Sequence, residues 1–249
     1  MLQAFVEKKF RETALKDIDS GNQDTMFSFP LNYTELSASL KEFGLFHPVC
    51  LARGADSSGT LVLICGHRRL RAWGGLGHET IPAFILDAYP MDACEALLFN
   101  VAENSTHRSF NDVEISNVLA KLGRGNFPSE RIMEEAMPLL GLDRNKKALD
   151  DYLALQSLVP QFMEYLVEIG APPRVGARIA KWGEEDQCEL YSVAASFRPG
   201  GNKLKEILDM VEEISLREGT SPGMVLKAEE VASVCRSKDM APSDKARRM

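Results

Sequence analysis

The spacing of apolar residues along the chain changes character once, near residue 88. Between 33 and 43, Leu36, Leu40 and Phe43 recur at helical spacing, Gly44 stands where a C-cap belongs, and Pro48 follows, so a short helix is predicted there. Two runs rich in Val, Leu and Ile, 49–53 and 60–65, flank a turn-rich stretch at 54–59 and predict a hairpin. A helix over 68–76 opens directly after Gly66 and closes among Gly74, Gly75 and Gly77, and a further β-rich run covers 80–86. Residues 31–87 therefore read helix, strand, strand, helix, strand. Beyond Tyr89 every segment is either helical in period or a Gly/Pro break, with helices predicted over 91–102, 111–122, 129–140, 144–157, 160–169, 174–181, 184–196 and 204–217. No strand is needed after residue 87. The fold class predicted is α+β, a small mixed α/β region followed by an all-α region.

The organisation expected is a lead-in at 1–29, rich in charge, Gly and Ser with one short helix at its start, then a mixed domain at 30–110 and an all-α domain at 111–197. Arg198-Pro-Gly-Gly-Asn202 reads as a linker. In the C-terminal helices at 203–236, Leu204, Leu208, Val211 and Ile214 or Leu216 form a stripe that fits a helix docked on its own domain or a dimer seam. The tail 237–249 is polar and reads as loose.

With 45% apolar and 26% charged residues in 249, the composition is that of an ordinary globular chain and excludes collagen-like, disordered and disulfide-scaffold classes. The uncharged apolar runs, such as 61–65 and 81–86, are far shorter than the roughly 20 residues that cross a bilayer, and the first residues alternate charge with apolar side chains, so a cytoplasmic chain without membrane contact is expected. Five scattered cysteines without a CxxC pair fit reduced thiols better than a disulfide frame or zinc cluster. A net charge of −7 argues against a surface that grips nucleic acid everywhere, while leaving room for one local basic patch.

Three stretches carry candidate chemistry. In Ile64-Cys-Gly-His-Arg-Arg-Leu-Arg71 a strand runs into a glycine and then into arginines at a helix start, an arrangement suited to phosphate, since Gly66 permits close backbone approach and Arg68 and Arg69 add forked donors. The plainer reading is a solvated arginine face. Glu103-Asn-Ser-Thr-His-Arg108 offers hard oxygen ligands for Mg²⁺ and a nearby cation, or else helix caps from Asn104, Ser105 or Asn111. His47, in Gly44-Leu-Phe-His-Pro48, is either a ligand contact or a bystander.

Taken together, in this order and at these separations, the three stretches resemble the ParB/sulfiredoxin-like domain of ParB-type partition proteins. The Gly-x-x-x-Pro segment is matched by Gly44 to Pro48, the Gly-Glu-Arg-Arg-type box by Gly66-His67-Arg68-Arg69, and a Glu-Asn-x-x-x-Arg-like box loosely by Glu103, Asn104 and Arg108; His67 stands where Glu is commoner. The resemblance covers roughly residues 30–120 and implies a pocket that binds CTP with Mg²⁺, hydrolyses it slowly, and switches a clamp around DNA. It places Gly44, His47 and Pro48 on the base or sugar side, Gly66, His67, Arg68, Arg69 and Arg108 on the nucleotide, and Glu103 with Asn104 at the metal and in hydrolysis. The helical half resembles the family's helix-turn-helix domain: 132–140, the turn 141–144, and a second helix from 145 to 155, with Arg144, Lys146 and Lys147 as DNA contacts. Against this, 128–190 holds 7 Lys+Arg and 12 Asp+Glu, a poor footprint for duplex binding. The resemblance also implies a homodimer and a partition ATPase as partners. Two other readings stay open: an enzyme on the same fold, such as a nucleotide-dependent phosphotransferase or a ParB-like nuclease, and a non-catalytic protein adaptor. Sulfiredoxin-type chemistry would require Gly-Cys-His-Arg, whereas Cys65 precedes Gly66.

Overall fold

The computed structural model describes residues 8–19, 21–53, 60–86, 92–229, 231 and 233. The expected 54–59 turn, Cys235 and the tail 237–249 lie outside them. The chain divides into two compact units, Met1–Asn145 and Lys146–Met249, so the boundary expected after 110 falls inside the first.

Strand-forming residues in the first unit build a five-stranded mixed sheet from β1 (Lys8–Ala14), β2 (Ile18–Asp19), β3 (Val49–Arg53), β4 (Leu61–Cys65) and β5 (Thr80–Leu86), in the order β1-β5-β3-β4-β2. The predicted hairpin is the antiparallel β3–β4 pair, while β3 and β5 run parallel. Both faces are covered, which is why these strands read as continuous apolar runs instead of alternating. Val49, Leu51, Leu63 and Ile81 pack with Leu70 and Trp73 of helix α2 (His67–Gly75), and Cys50, Ile64, Cys65 and Leu86 pack on the other face with Ala96 of helix α3 (Ala93–Ser105), where α1 (Thr34–Phe43) precedes both helices in the chain.

The lead-in expectation is corrected at its N-terminal end. Lys8–Ala14 is not a helix or a loose segment but an edge strand, antiparallel to β5 from Lys8↔Leu86 to Ala14↔Thr80. Its residues 8–12 are exposed, so no burial pattern marks the strand in the sequence, and the backbone ladder alone recruits it.

After β5 no strand occurs among the described residues. Helix α4 (Asp112–Arg124), like α3, opens with a full capping box: Asp92 with Glu95 at α3 and Asn111 with Glu114 at α4. The predicted 129–140 helix is present over 129–139 with a π turn at Ile132–Ala136. Pro138 accounts for the widening, because it lacks an N–H for Glu134 and its ring crowds that carbonyl.

The second unit contains helices Lys146–Ala154, Pro160–Ile169, Pro173–Ile179, Glu184–Phe197, Gly201–Glu218 and Pro222–Leu226. The expected linker at 198–202 is instead a packed turn: Arg198 takes a left-handed conformation and pairs with Glu168 at 2.7 Å, and Tyr165 donates its hydroxyl to the Pro199 carbonyl at 2.5 Å. Of the expected stripe, Leu204, Leu208 and Val211 are buried, together with Ile207, whereas Leu216 is exposed. No helix of the described residues is long and apolar enough to cross a membrane.

Candidate functional site

Gly66 sets the geometry of the site. It ends β4 and caps α2 with φ +100°, a conformation L side chains avoid, and a Cβ there would lie 2.8 Å from Val49 Cγ1. The first-turn N–H groups of α2 have no acceptor within the helix and face outward beside two arginines. Arg68 is exposed and donates to the Asn32 carbonyl at 3.1 Å. Arg69 donates from Nη1 to the carbonyls of His47 and Pro48, each at 2.8 Å, and its Nη2 lies 3.9 Å from Glu103 Oε1. Arg69 thus ties the Gly44–Pro48 loop and the end of α3 to the phosphate-type turn.

A pocket of about 270 Å³ opens over this turn, lined by Gly66, His67, Arg68, Arg69, Asn104 and Arg108 and closed by Phe27, Ser28, Leu36 and Asn100. Six of the expected residues thereby come together. Gly44, His47, Pro48 and Glu103 do not line the pocket in this structure; His47, Pro48 and Glu103 reach it through Arg69, and the His47 ring lies 6.5 Å from that of His107. Glu103 and Asn104 sit in the last turn of α3, past the helix end predicted at 102, and of the proposed caps only Asn111 acts as one.

Four wall residues escaped sequence reasoning. The segment 23–29 is held against α3 and α4 by side chains that satisfy its carbonyls: Lys121 Nζ donates to Gln23 at 2.6 Å, Asn100 to Thr25 at 2.7 Å, Asn117 to Phe27 at 3.1 Å and Asn111 to Phe29 at 2.7 Å. The available signal was Asn100, a polar residue on the apolar stripe of α3, one turn before Asn104, which donates to its Oδ1 at 2.7 Å.

His67 and Arg108 are engaged in the framework. His67 is buried, with Nε2 3.2 Å from Thr25 Oγ1; since that hydroxyl donates to the Leu63 carbonyl, it accepts from an Nε2–H tautomer. Burial, reinforced by Arg71 and Lys121, pushes the imidazole down to about 4. The neutral ring therefore contributes stability that is complete above its unfolded value near 6.5 and is lost as pH falls toward 4. Urea unfolding over this window is expected to show the parent losing up to about 1.4 kcal/mol per pH unit relative to His67→Gln; parallel pH profiles would contradict the assignment. Arg108 makes a forked pair with Glu114, Nη1–Oε2 2.6 Å and Nη2–Oε1 2.8 Å, with its guanidinium 5.0 Å from the Phe110 ring centroid.

The helix-turn-helix expected across 132–155 has its two helices on either side of the division between units. Arg144 belongs to the first unit, and Lys146 is paired with Asp150. Lys147 lines a second cleft, of about 300 Å³, with Arg174, Lys181 and Lys205, none of which the sequence reading singled out. Arg178 also lines it, neutralised by Asp209 and Glu212 at 2.7 Å each.

Residues 3–105 match the family model described as the ParB N-terminal domain. Over 83 residues the chain is 36% identical to a probable chromosome-partitioning protein ParB of Campylobacter jejuni, a stretch that makes up 33% of this chain and only 28% of that protein. Among solved structures it is similar to the C-terminally truncated chromosome-partitioning protein ParB from Caulobacter crescentus complexed with CTP-gamma-S, at 22% identity over 74% of this chain and 97% of that one, TM-score 0.33. The same protein complexed to the centromeric parS site is similar at 19% identity over 80% and 99%, TM-score 0.42. Likenesses this distant do not bear on residue roles.

Proposed function

From the match of residues 3–105 to the ParB N-terminal domain, we propose that this chain is a partition protein of the ParB type, whose first unit binds CTP with Mg²⁺ and whose second unit grips DNA. The observation that carries the nucleotide reading is the Gly66 turn with Arg68 and Arg69 beside a pocket that Asn104 also lines. A left-handed glycine, free helix N–H groups and forked cations together suit a polyphosphate. The choice of cytosine rests on the resemblance of the Gly44–Pro48 and Gly66–Arg69 boxes to the family's.

The residues fit a magnesium ion of the kind completed by substrate phosphates. Glu103 supplies one part-exposed carboxylate, and Asn104, whose amide nitrogen is used by Asn100, keeps its carbonyl oxygen for a ligand. The ion would neutralise phosphate charge there. Among the described residues no group of three His, Cys, Asp or Glu forms a protein-only cage. Slow hydrolysis is assigned to the same pair, with Glu103 orienting water. Homodimer formation and a partition ATPase as partner follow from the family resemblance and belong to the same proposal.

Calorimetric titration with CTP, ATP, GTP and UTP in Mg²⁺ tests this reading. Selective CTP binding is expected, and Arg68→Ala should weaken it by roughly ten- to a hundredfold, the worth of one charge-assisted hydrogen bond to phosphate. Equal affinity in the variant would remove Arg68 from the phosphate site. For DNA, the support is the cleft in which Lys147, Arg174, Lys181 and Lys205 gather positive charge within an acidic chain. Replacing these four by Gln should reduce the slope of log affinity against log salt by about 0.9 for each phosphate no longer neutralised; an unchanged slope would place the DNA elsewhere.

A further inference from the structure

We propose that Cys50 and Cys65 form a reversible dithiol–disulfide couple which, when oxidised by a hydroperoxide, ties the root of the Gly44–Pro48 loop to that of the Gly66 turn. The two residues face each other in the antiparallel register of β3 and β4, beneath α3. Cys50 is 7% exposed and Cys65 fully buried, and the two thiols are near enough to shift each other's ionisation. Directly opposed residues place their Cβ atoms about 4.5–5.5 Å apart, and a disulfide needs about 3.5–4.5 Å. The register irregularity between Cys50 and Leu51 supplies the slack for that approach. Position gives the pair its consequence: Cys50 follows Pro48 by two residues, and Cys65 immediately precedes Gly66.

The surroundings also assign the order of events. The neighbouring Cys65 thiol holds the Cys50 thiol below its ordinary range, opposed by burial and Glu103 and assisted by Lys8 and Arg69, while Cys50 and burial push Cys65 up. Cys50, the more accessible and the better thiolate, attacks first. Its sulfur takes the distal oxygen of the hydroperoxide, the O–O bond breaks, and the leaving oxygen departs as water or alcohol with the thiol's proton. The Cys65 sulfur then displaces hydroxide from the Cys50 sulfenic acid, forming the S–S bond, and the Cys65 proton leaves with that hydroxide as water. Two thiols give up two electrons and two protons, and the hydroperoxide takes them. A dithiol reverses the reaction by exchange. Cys94 is differently placed, its thiol directed to the Gly125 carbonyl at 3.7 Å, and Cys188 is exposed and lies in the other unit.

The test uses the full chain, reduced, treated with hydrogen peroxide, then denatured, alkylated and digested. A linked pair of peptides carrying Cys50 and Cys65, lighter by about 2 Da than their sum, is expected in the parent, absent from Cys50→Ala and Cys65→Ala, and removed by dithiothreitol. Amide exchange over 44–53 and 61–69 should slow severalfold in the oxidised parent and stay unchanged in peroxide-treated Cys65→Ala. If both thiols remain alkylatable after Cys188 has been oxidised, or if Cys65→Ala shows the same slowing, the proposal is overturned. Mass and exchange report on the couple without any nucleotide, so a negative CTP titration leaves this test intact.

Discussion

The Arg108→Ala protein is expected to lose about 3–5 kcal/mol of unfolding free energy, more than the loss of an exposed ion pair would cost. Glu114 is only 3% exposed and receives the Arg108 fork at 2.6 and 2.8 Å. The same carboxylate accepts from the backbone N–H of Asn111 at 3.2 Å, closing the α4 cap, and from that of Phe29 at 3.3 Å, anchoring the 23–29 wall. Removing the guanidinium leaves a buried carboxylate without its cation among Phe27 and Phe110, whose rings Arg108 also covers. Adding Glu114→Gln should recover part of the loss, because the amide still accepts those N–H groups without a charge to solvate. Urea unfolding of the two single variants and the double variant measures the coupling. A loss below about 1 kcal/mol in Arg108→Ala would mean that Glu114 is adequately solvated without its partner.

Gly66→Ala is the second large effect, with an expected cost of about 2–4 kcal/mol and loss of nucleotide binding. Two terms add. The methyl group must occupy φ +100°, where its Cβ meets the backbone, and it falls 2.8 Å from Cγ1 of Val49. Val49 is fully buried and β-branched, so its restricted χ1 leaves little room to retreat. Relief has to come from moving the β4–α2 turn, which carries Arg69 away from the carbonyls of His47 and Pro48 and Arg68 away from that of Asn32. An unfolding midpoint equal to the parent's would show that the turn relaxes freely; retained CTP affinity in a destabilised variant would show that close backbone approach at Gly66 is not used by the ligand.

Much of the first unit was legible because its signals are local. Helical period at Leu36, Leu40 and Phe43, apolar runs at 49–53 and 60–65, and the Gly66–Arg69 junction each lie within a dozen residues. The misreadings have one origin. Lys8–Ala14 carries little apolar pattern because its ladder to β5, not its side chains, makes it a strand. Arg198–Asn202 has the composition of a linker, but Tyr165 and Glu168 claim it from another helix. The predicted helix end at 102 falls short because the polar residues from Glu103 to His107 interrupt the apolar run, whereas the helix capped by Asp92 continues through Ser105.

By itself, then, the sequence determined the order of the central elements, the phosphate-type turn at Gly66 and the match of residues 3–105 to the ParB N-terminal domain, since backbone propensity, hydrophobic period and short motifs act between near neighbours. Tertiary structure alone decided that Phe27 and Asn100 wall the pocket, that Arg108 is bound to Glu114, that Arg69 holds the His47–Pro48 loop, and that Cys50 meets Cys65. Most of those meetings join residues far apart in the chain, and all of them depend on strand register and on the burial of charges and amides, which exist only once the sheet and helices have closed around them.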